Sequence, residues 1–120
     1  MAKDTEILAF LNPLISIAAQ YEQGEGVEVD GRTIVKAGTL IGGGFTESYN
    51  GQATVDTETP EGVNLYDVDT TDGRAEGAVV LFGFINTDVV DEDIAATYTD
   101  EVKQALPKIG FIANGKGGNQ

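Results

Sequence analysis

The sequence predicts a mainly β domain of the α+β class: a small antiparallel β-barrel or sandwich with one short C-terminal helix and an N-terminal helix or arm. Three observations carry this expectation. Asp30-Gly31 stands between the β-forming runs Val27–Val29 and Arg32–Val35, and glycine there relieves the positive φ of a type I′ hairpin turn. Residues 78–85 are nearly all apolar, with Gly83 among them, which is the composition of a central strand buried on both faces. Ile94, Tyr98, Val102 and Leu106 recur every four residues ahead of Pro107, the mark of one amphipathic helix and its stop.

Taken in chain order, residues 4–12 set Ile7, Leu8, Phe10 and Leu11 at helical spacing, with Asp4 or Thr5 as N-cap and Pro13 as terminator. This segment is either a helix packed on the core or an arm that orders on a partner. Residues 14–21 read as a strand with Ile15, Ile17, Ala19 and Tyr21 on one face. Residues 23–26 form a turn, and residues 36–41 pass through Gly38 into Gly42-Gly43-Gly44. Residues 45–61 are polar and read as a long loop, disordered or a surface excursion, with one weak strand near residues 53–57. Residues 62–69 read as a strand and residues 70–74 as a turn. Gly83 marks a bulge or a close backbone approach. Asp91, Glu92 and Asp93 suit a helix start, and residues 109–113 close the domain as a last short strand. The resulting division is an arm or short helix at 1–13, a β-rich domain at 14–114 and a flexible tail at 115–120.

Composition narrows the chemistry. The 120 residues suffice for one domain with a real core. The formal net charge is −13, from 20 acidic and 7 scattered basic residues, which disfavours nucleic acid as a partner and favours a basic surface. The apolar run after Lys3 is preceded by Asp4 and Glu6 and interrupted by Asn12-Pro13, so neither a signal peptide nor a membrane span is expected. There is no histidine and no cysteine, so a Ser-His-Asp triad and a Cys/His zinc site cannot be built. Ser16 and Ser48 lie outside any G-x-S-x-G elbow, and Gly42-Gly43-Gly44 lacks the Lys-Ser or Lys-Thr of a phosphate loop.

Asp67, Asp69, Asp72 and Glu76 are the best metal candidates, with Asp72-Gly73 imitating a calcium loop. Counted from Asp67, an EF-hand needs Gly where Asp72 stands and Glu where Ala78 stands. The register fails, so Asp72-Gly73 reads as a turn, the alternative being a looser calcium site on alternate carboxylates of one strand face. Close carboxylate pairs are inevitable among 20 acids and say little about glycosidase chemistry. No catalytic residue, metal ligand or cofactor is expected.

What remains is a strand-turn-strand unit: Glu61-Gly62-Val63-Asn64-Leu65-Tyr66-Asp67-Val68-Asp69-Thr70-Thr71-Asp72-Gly73, then Ala78-Val79-Val80-Leu81-Phe82-Gly83-Phe84-Ile85-Asn86. It resembles the core motif of the head decoration proteins of tailed bacteriophages, the lambda-type family. Val35-Lys36-Ala37-Gly38-Thr39-Leu40 resembles their K-A-G-T-x-L strand, and Lys103-Gln104-Ala105-Leu106-Pro107-Lys108-Ile109 their closing helix and strand. The resemblance rests on the order and spacing of these motifs over about half the chain. The head fibre proteins of small podoviruses are similar in this same region.

The resemblance implies a non-enzymatic virion protein, made in the host bacterial cytoplasm. It would bind the outside of the expanded head, with the major capsid protein as partner, and stabilise the lattice against the pressure of packed DNA. It also implies a homo-oligomer, a trimer at least on the capsid. Gly62, Leu65, Asp67, Val68, Asp69, Thr71, Asp72, Gly73, Gly83 and Asn86 would be scaffold positions. The N-terminal segment has no counterpart in that family; its own residues, Ile7, Leu8, Phe10 and Leu11, form an apolar arm expected to supply the capsid contacts. The alternative function is a virion-displayed fibre or adhesion module that binds host polysaccharide through residues 45–61, with Tyr49 and Asn50 in contact.

Overall fold

The computed structural model describes residues 10–48 and 50–112. Among them run β1 Phe10–Tyr21, β2 Val27–Val29, β3 Arg32–Val35, β4 Leu40–Gly42, a 3-10 turn at Phe45–Glu47 and β5 Gln52–Val55. Then follow β6 Gly62–Asn64, β7 Val68–Asp69, β8 Ala75–Asn86, the helices α1 Glu92–Ala95 and α2 Asp100–Ala105, and β9 Ile109–Ile112. The protein is mainly β, with two short helices late in the chain.

The larger sheet has the order β1-β5-β4-β6-β8-β9, and β1 pairs with β8 as well. Five strands therefore pair in a ring, β1-β5-β4-β6-β8 and back to β1. Within it only β1–β5 is parallel; outside it, β9 is added parallel to β8. A smaller antiparallel sheet, β2-β3-β7, stands beside the ring.

Alternation along the strands builds two cores, one on each face of the larger sheet. Ile41 and Val79 belong to one core with Ala19, Tyr21 and Ala53, joined by Val35, Phe45 and Val68. Their neighbours Leu40 and Val80 belong to the other, with Val63 and Ile85 under Tyr98, Val102, Leu106 and Ile109. This is why Val79 and Val80 are both apolar; further along, Phe82 and Phe84 are exposed, so β8 is buried on both faces only in its middle and not over the whole of residues 78–85 as expected. Asp30 and Gly31 both take positive φ, 52° and 83°, and Val29 pairs with Arg32 across them, as the hairpin expectation requires.

Four local expectations are corrected. Residues 10–12 are extended, not helical, because β1 begins at Phe10, and Pro13 lies inside the strand opposite Gly83. Register shifts flank Pro13 on both sides, and irregular pairing is where a sheet tolerates a residue without an N–H. Residues 45–61 are folded: Phe45 and Ala53 are buried, and Asp56 caps the following turn by accepting from the Glu58 and Thr59 N–H groups. These bonds, the Thr59 N–H first, hold the Asp56 carboxyl below its ordinary range.

The strand expected over residues 62–69 is broken into β6 and β7, which enter different sheets. Asn64 makes the break. Its fully buried side chain accepts from Tyr21 Oη at 2.8 Å and donates to the carbonyls of Val35, Lys36 and Tyr66 at 3.0, 3.1 and 2.7 Å. The expected single helix is two. Thr97 Oγ1 bonds back to the Ile94 carbonyl, and Thr99 Oγ1 starts a new helix by accepting from the Val102 N–H. The four-residue recurrence still identified the packed face, since Tyr98, Val102 and Leu106 share one core and Ile94 packs on it.

Candidate partner-binding surface

The longest pairing in the molecule is β1 against β8, from Phe10–Ile85 to Tyr21–Ala75. At one end β1 also pairs with β5, but only at Gln20 and Tyr21. From Phe10 to Ala19 the other edge of β1 has no strand beside it among the described residues. Leu11 and Leu14 of β1 and Leu81 of β8 fall between paired positions, so the ribbon is bulged there.

At this end β8 lies between β1 and β9. Ile85, Ile109 and Phe111 turn to the helices, and the Tyr98 and Phe111 rings meet at 4.8 Å between centroids. The opposite face carries the alternate residues. Ile15 pairs with Phe82, and Phe84 pairs with Gly110, two residues before Ile112. A Cβ on Gly110 would stand 2.5 Å from Phe84 Cδ1, so glycine is what lets the Phe84 ring lie across β9. Nothing among the described residues covers this face: Ile15 is 50 % exposed, and Phe82, Phe84 and Ile112 are 37, 39 and 38 % exposed. An apolar group contiguous in this way on a strongly acidic chain is the usual sign of an interaction surface.

Covering the four residues would yield on the order of 3 kcal/mol, since full burial of each side chain is worth roughly 1.5–3 and each is already covered by half or more. Association of two free proteins costs about 4–15 kcal/mol in lost motion and ordering. The patch alone is therefore too small to hold a partner. The free edge of β1 adjoins it and offers main-chain hydrogen bonds to an added strand, and repeated copies on a lattice multiply the effect.

Of the capsid-contact residues expected from the sequence, Ile7 and Leu8 lie outside the described residues. Phe10 and Leu11 lie at the start of β1, at the same end as the bare face. The tail at 115–120 and Tyr49 are also outside the described residues.

The scaffold positions have structural roles. Gly62 is packed so closely that a Cβ would stand 2.6 Å from the Val80 carbonyl oxygen. Leu65 and Val68 pack on the two cores. Asp67 accepts from the Ala37 N–H, and Thr71 Oγ1 from the Thr33 N–H. Gly73 stands in an open bend, Gly83 faces Pro13, and Asn86 Oδ1 accepts from the Asp88 N–H. Asp69 and Asp72 converge on Arg32, with Nε–Oδ2 2.8 Å and Nη2–Oδ2 2.9 Å. Arg32 thus holds the hairpin to the turn after β7. Its hydrogen bond, followed by the Thr71 N–H, lowers the Asp69 carboxyl to about 2. Of the four carboxylates considered as calcium ligands, Asp69 and Asp72 are engaged by a guanidinium and Asp67 by backbone, and no group of three candidate ligands lies within reach of one cation among the described residues.

Sequence reasoning missed Asn64, Arg32 and the bare face. A lone Asn in an apolar strand was a signal for the first, and a single Arg beside Asp-Gly for the second. The third has no local signal, because Ile15 and Ala19 read alike. Comparison with protein-family models, with curated proteins and with solved structures finds no match in any of the three.

Proposed function

We propose that this chain is a non-catalytic head decoration protein of a tailed bacteriophage, seated on the outside of the expanded capsid. The observation that carries the reading is the apolar face of β1, β8 and β9, bare among the described residues, beside a β1 edge with no strand partner among them, in a chain whose motif order resembles that family. The ring of strand pairings reads as a small barrel, the form the resemblance implies.

Such a protein works by complementary surface. Binding only the expanded shell stabilises that state by mass action. A module set across the joints between major capsid subunits then resists the outward push of packed DNA. A homotrimer would match a local threefold axis of the lattice. The net charge of −13 suits a basic patch on the shell and speeds encounter. No observation favours the adhesion reading in the same way.

The test is co-sedimentation with expanded, undecorated heads. The full chain is expected to saturate them, and Phe84→Ser with Ile15→Ser to lose binding while remaining folded. Removing residues 2–9, which leaves β1 whole, separates the arm from the sheet face. A folded wild-type chain that stays in the supernatant defeats the proposal.

A further inference from the structure

A cleft of about 390 Å³ opens between the β2–β3 hairpin and α1, lined by none of the residues of the bare sheet face. Its size falls within the range of ligand-binding clefts. Val27 and Ile34, paired across the hairpin, form one wall; Val55 and Ile94 contribute apolar surface from β5 and α1. Val27 is 56 % exposed. Two carboxylates, Glu25 and Asp93, line the same cleft, and no Lys or Arg does. The nearby cations are engaged elsewhere: Arg32 with Asp69 and Asp72, Lys36 with Asp91, and Arg74 with Glu22. Glu25 is fixed in place, because its Oε2 accepts the Val55 N–H at 2.7 Å.

We infer that this cleft is a second binding site, which takes a lysine or arginine side chain flanked by an apolar residue on an extended segment of a partner protein. The aliphatic stem of the cation covers Val27 and Ile34, and its charged end meets Glu25 and Asp93. The cleft is larger than one basic side chain, and the apolar neighbour fills the remainder against Val55 and Ile94. A neutral or acidic segment leaves two carboxylates facing apolar surface and is rejected. The inference stands apart from the capsid reading, since it rests on the charge and shape of the cleft alone.

The experiment is a titration of the isotope-labelled full chain with acetyl-Leu-Arg-Leu-amide, followed by NMR, beside acetyl-Leu-Gln-Leu-amide as neutral control. Saturable shifts are expected at Val27, Ile34, Val55 and Ile94 with the arginine peptide, at least about tenfold tighter than with the glutamine peptide. Glu25→Gln, which keeps an acceptor for the Val55 N–H, combined with Asp93→Asn, is expected to abolish that preference. Val27→Trp fills the cleft from an exposed position and is expected to block binding in a protein with a native spectrum. Absence of shifts, equal response to the two peptides, or shifts confined to residues elsewhere overturns the inference.

Discussion

The two ends of the β1–β8 ribbon are built from similar residues and have opposite fates. Tyr21 and Ala19 are fully buried, while Ile17 and Ile15, further along the same face, are 37 and 50 % exposed. At the closed end β5 and the rest of the ring lie over that face. At the open end the helices cover only the reverse side, where Ile85 is fully buried beside Phe84 at 39 % exposure. The difference teaches that apolar character alone does not assign a residue to the core. Which elements the chain has left to cover a face decides whether the face stabilises the fold or awaits a partner.

Four substitutions break or sharpen this contrast. Ile85→Ala strikes the covered side of the open end, and chemical denaturation is expected to show a loss of about 4 kcal/mol from cavity formation. Asn64→Ala strikes the closed end and leaves Tyr21 Oη and three carbonyls without their partner; about 3 kcal/mol is expected to be lost. Tyr21→Phe removes only the first of those bonds and should cost about 1–2 kcal/mol. A double-mutant cycle with Asn64→Ala should then show strong coupling. Phe84→Ser, on the bare side, is expected to change stability by about 1 kcal/mol or less, while head co-sedimentation falls sharply. Equal destabilisation by Phe84→Ser and Ile85→Ala would erase the distinction between the two faces.

The smallest effect belongs to Arg32, on the exposed turn beside the ring. It depresses the Asp69 carboxyl from 3.8 to about 2. A depressed folded-state value means that the ionised form is favoured by folding. This stabilisation is complete above the ordinary value, and it fades as pH falls through about 2. Arg32→Ala is therefore expected to lower the melting temperature slightly at pH 7, and the gap to wild type should close on acidification through that window.

Much of the fold was legible locally. The Asp30-Gly31 hairpin follows from positive φ at both positions, and the spacing of Tyr98, Val102 and Leu106 identified the helical face. Other features were not legible because their causes lie far along the chain. Asn64 splits β6 from β7 through a tyrosine 43 positions away. The helix break depends on two threonine hydroxyls that choose backbone partners over solvent. Residues 45–61 looked like a polar loop because Phe45, Ala53 and Val55 are scattered among mostly polar neighbours, yet β5 is held in the ring by β1 and β4. In the candidate surface, the apolar residues could be read from the sequence, but their exposure could not.

The sequence by itself determined a β-rich, acidic chain without histidine or cysteine, its hairpin turn, its central apolar strand and its late helical face. Those properties depend on backbone torsion, side-chain period and composition, all of which act over a few residues. Tertiary structure alone decided the ring of strand pairings, the network around Asn64, the capture of Asp69 and Asp72 by Arg32, and the bare face of β1, β8 and β9. Each of these requires segments distant in sequence to meet, and exposure is settled only when every covering element has been placed.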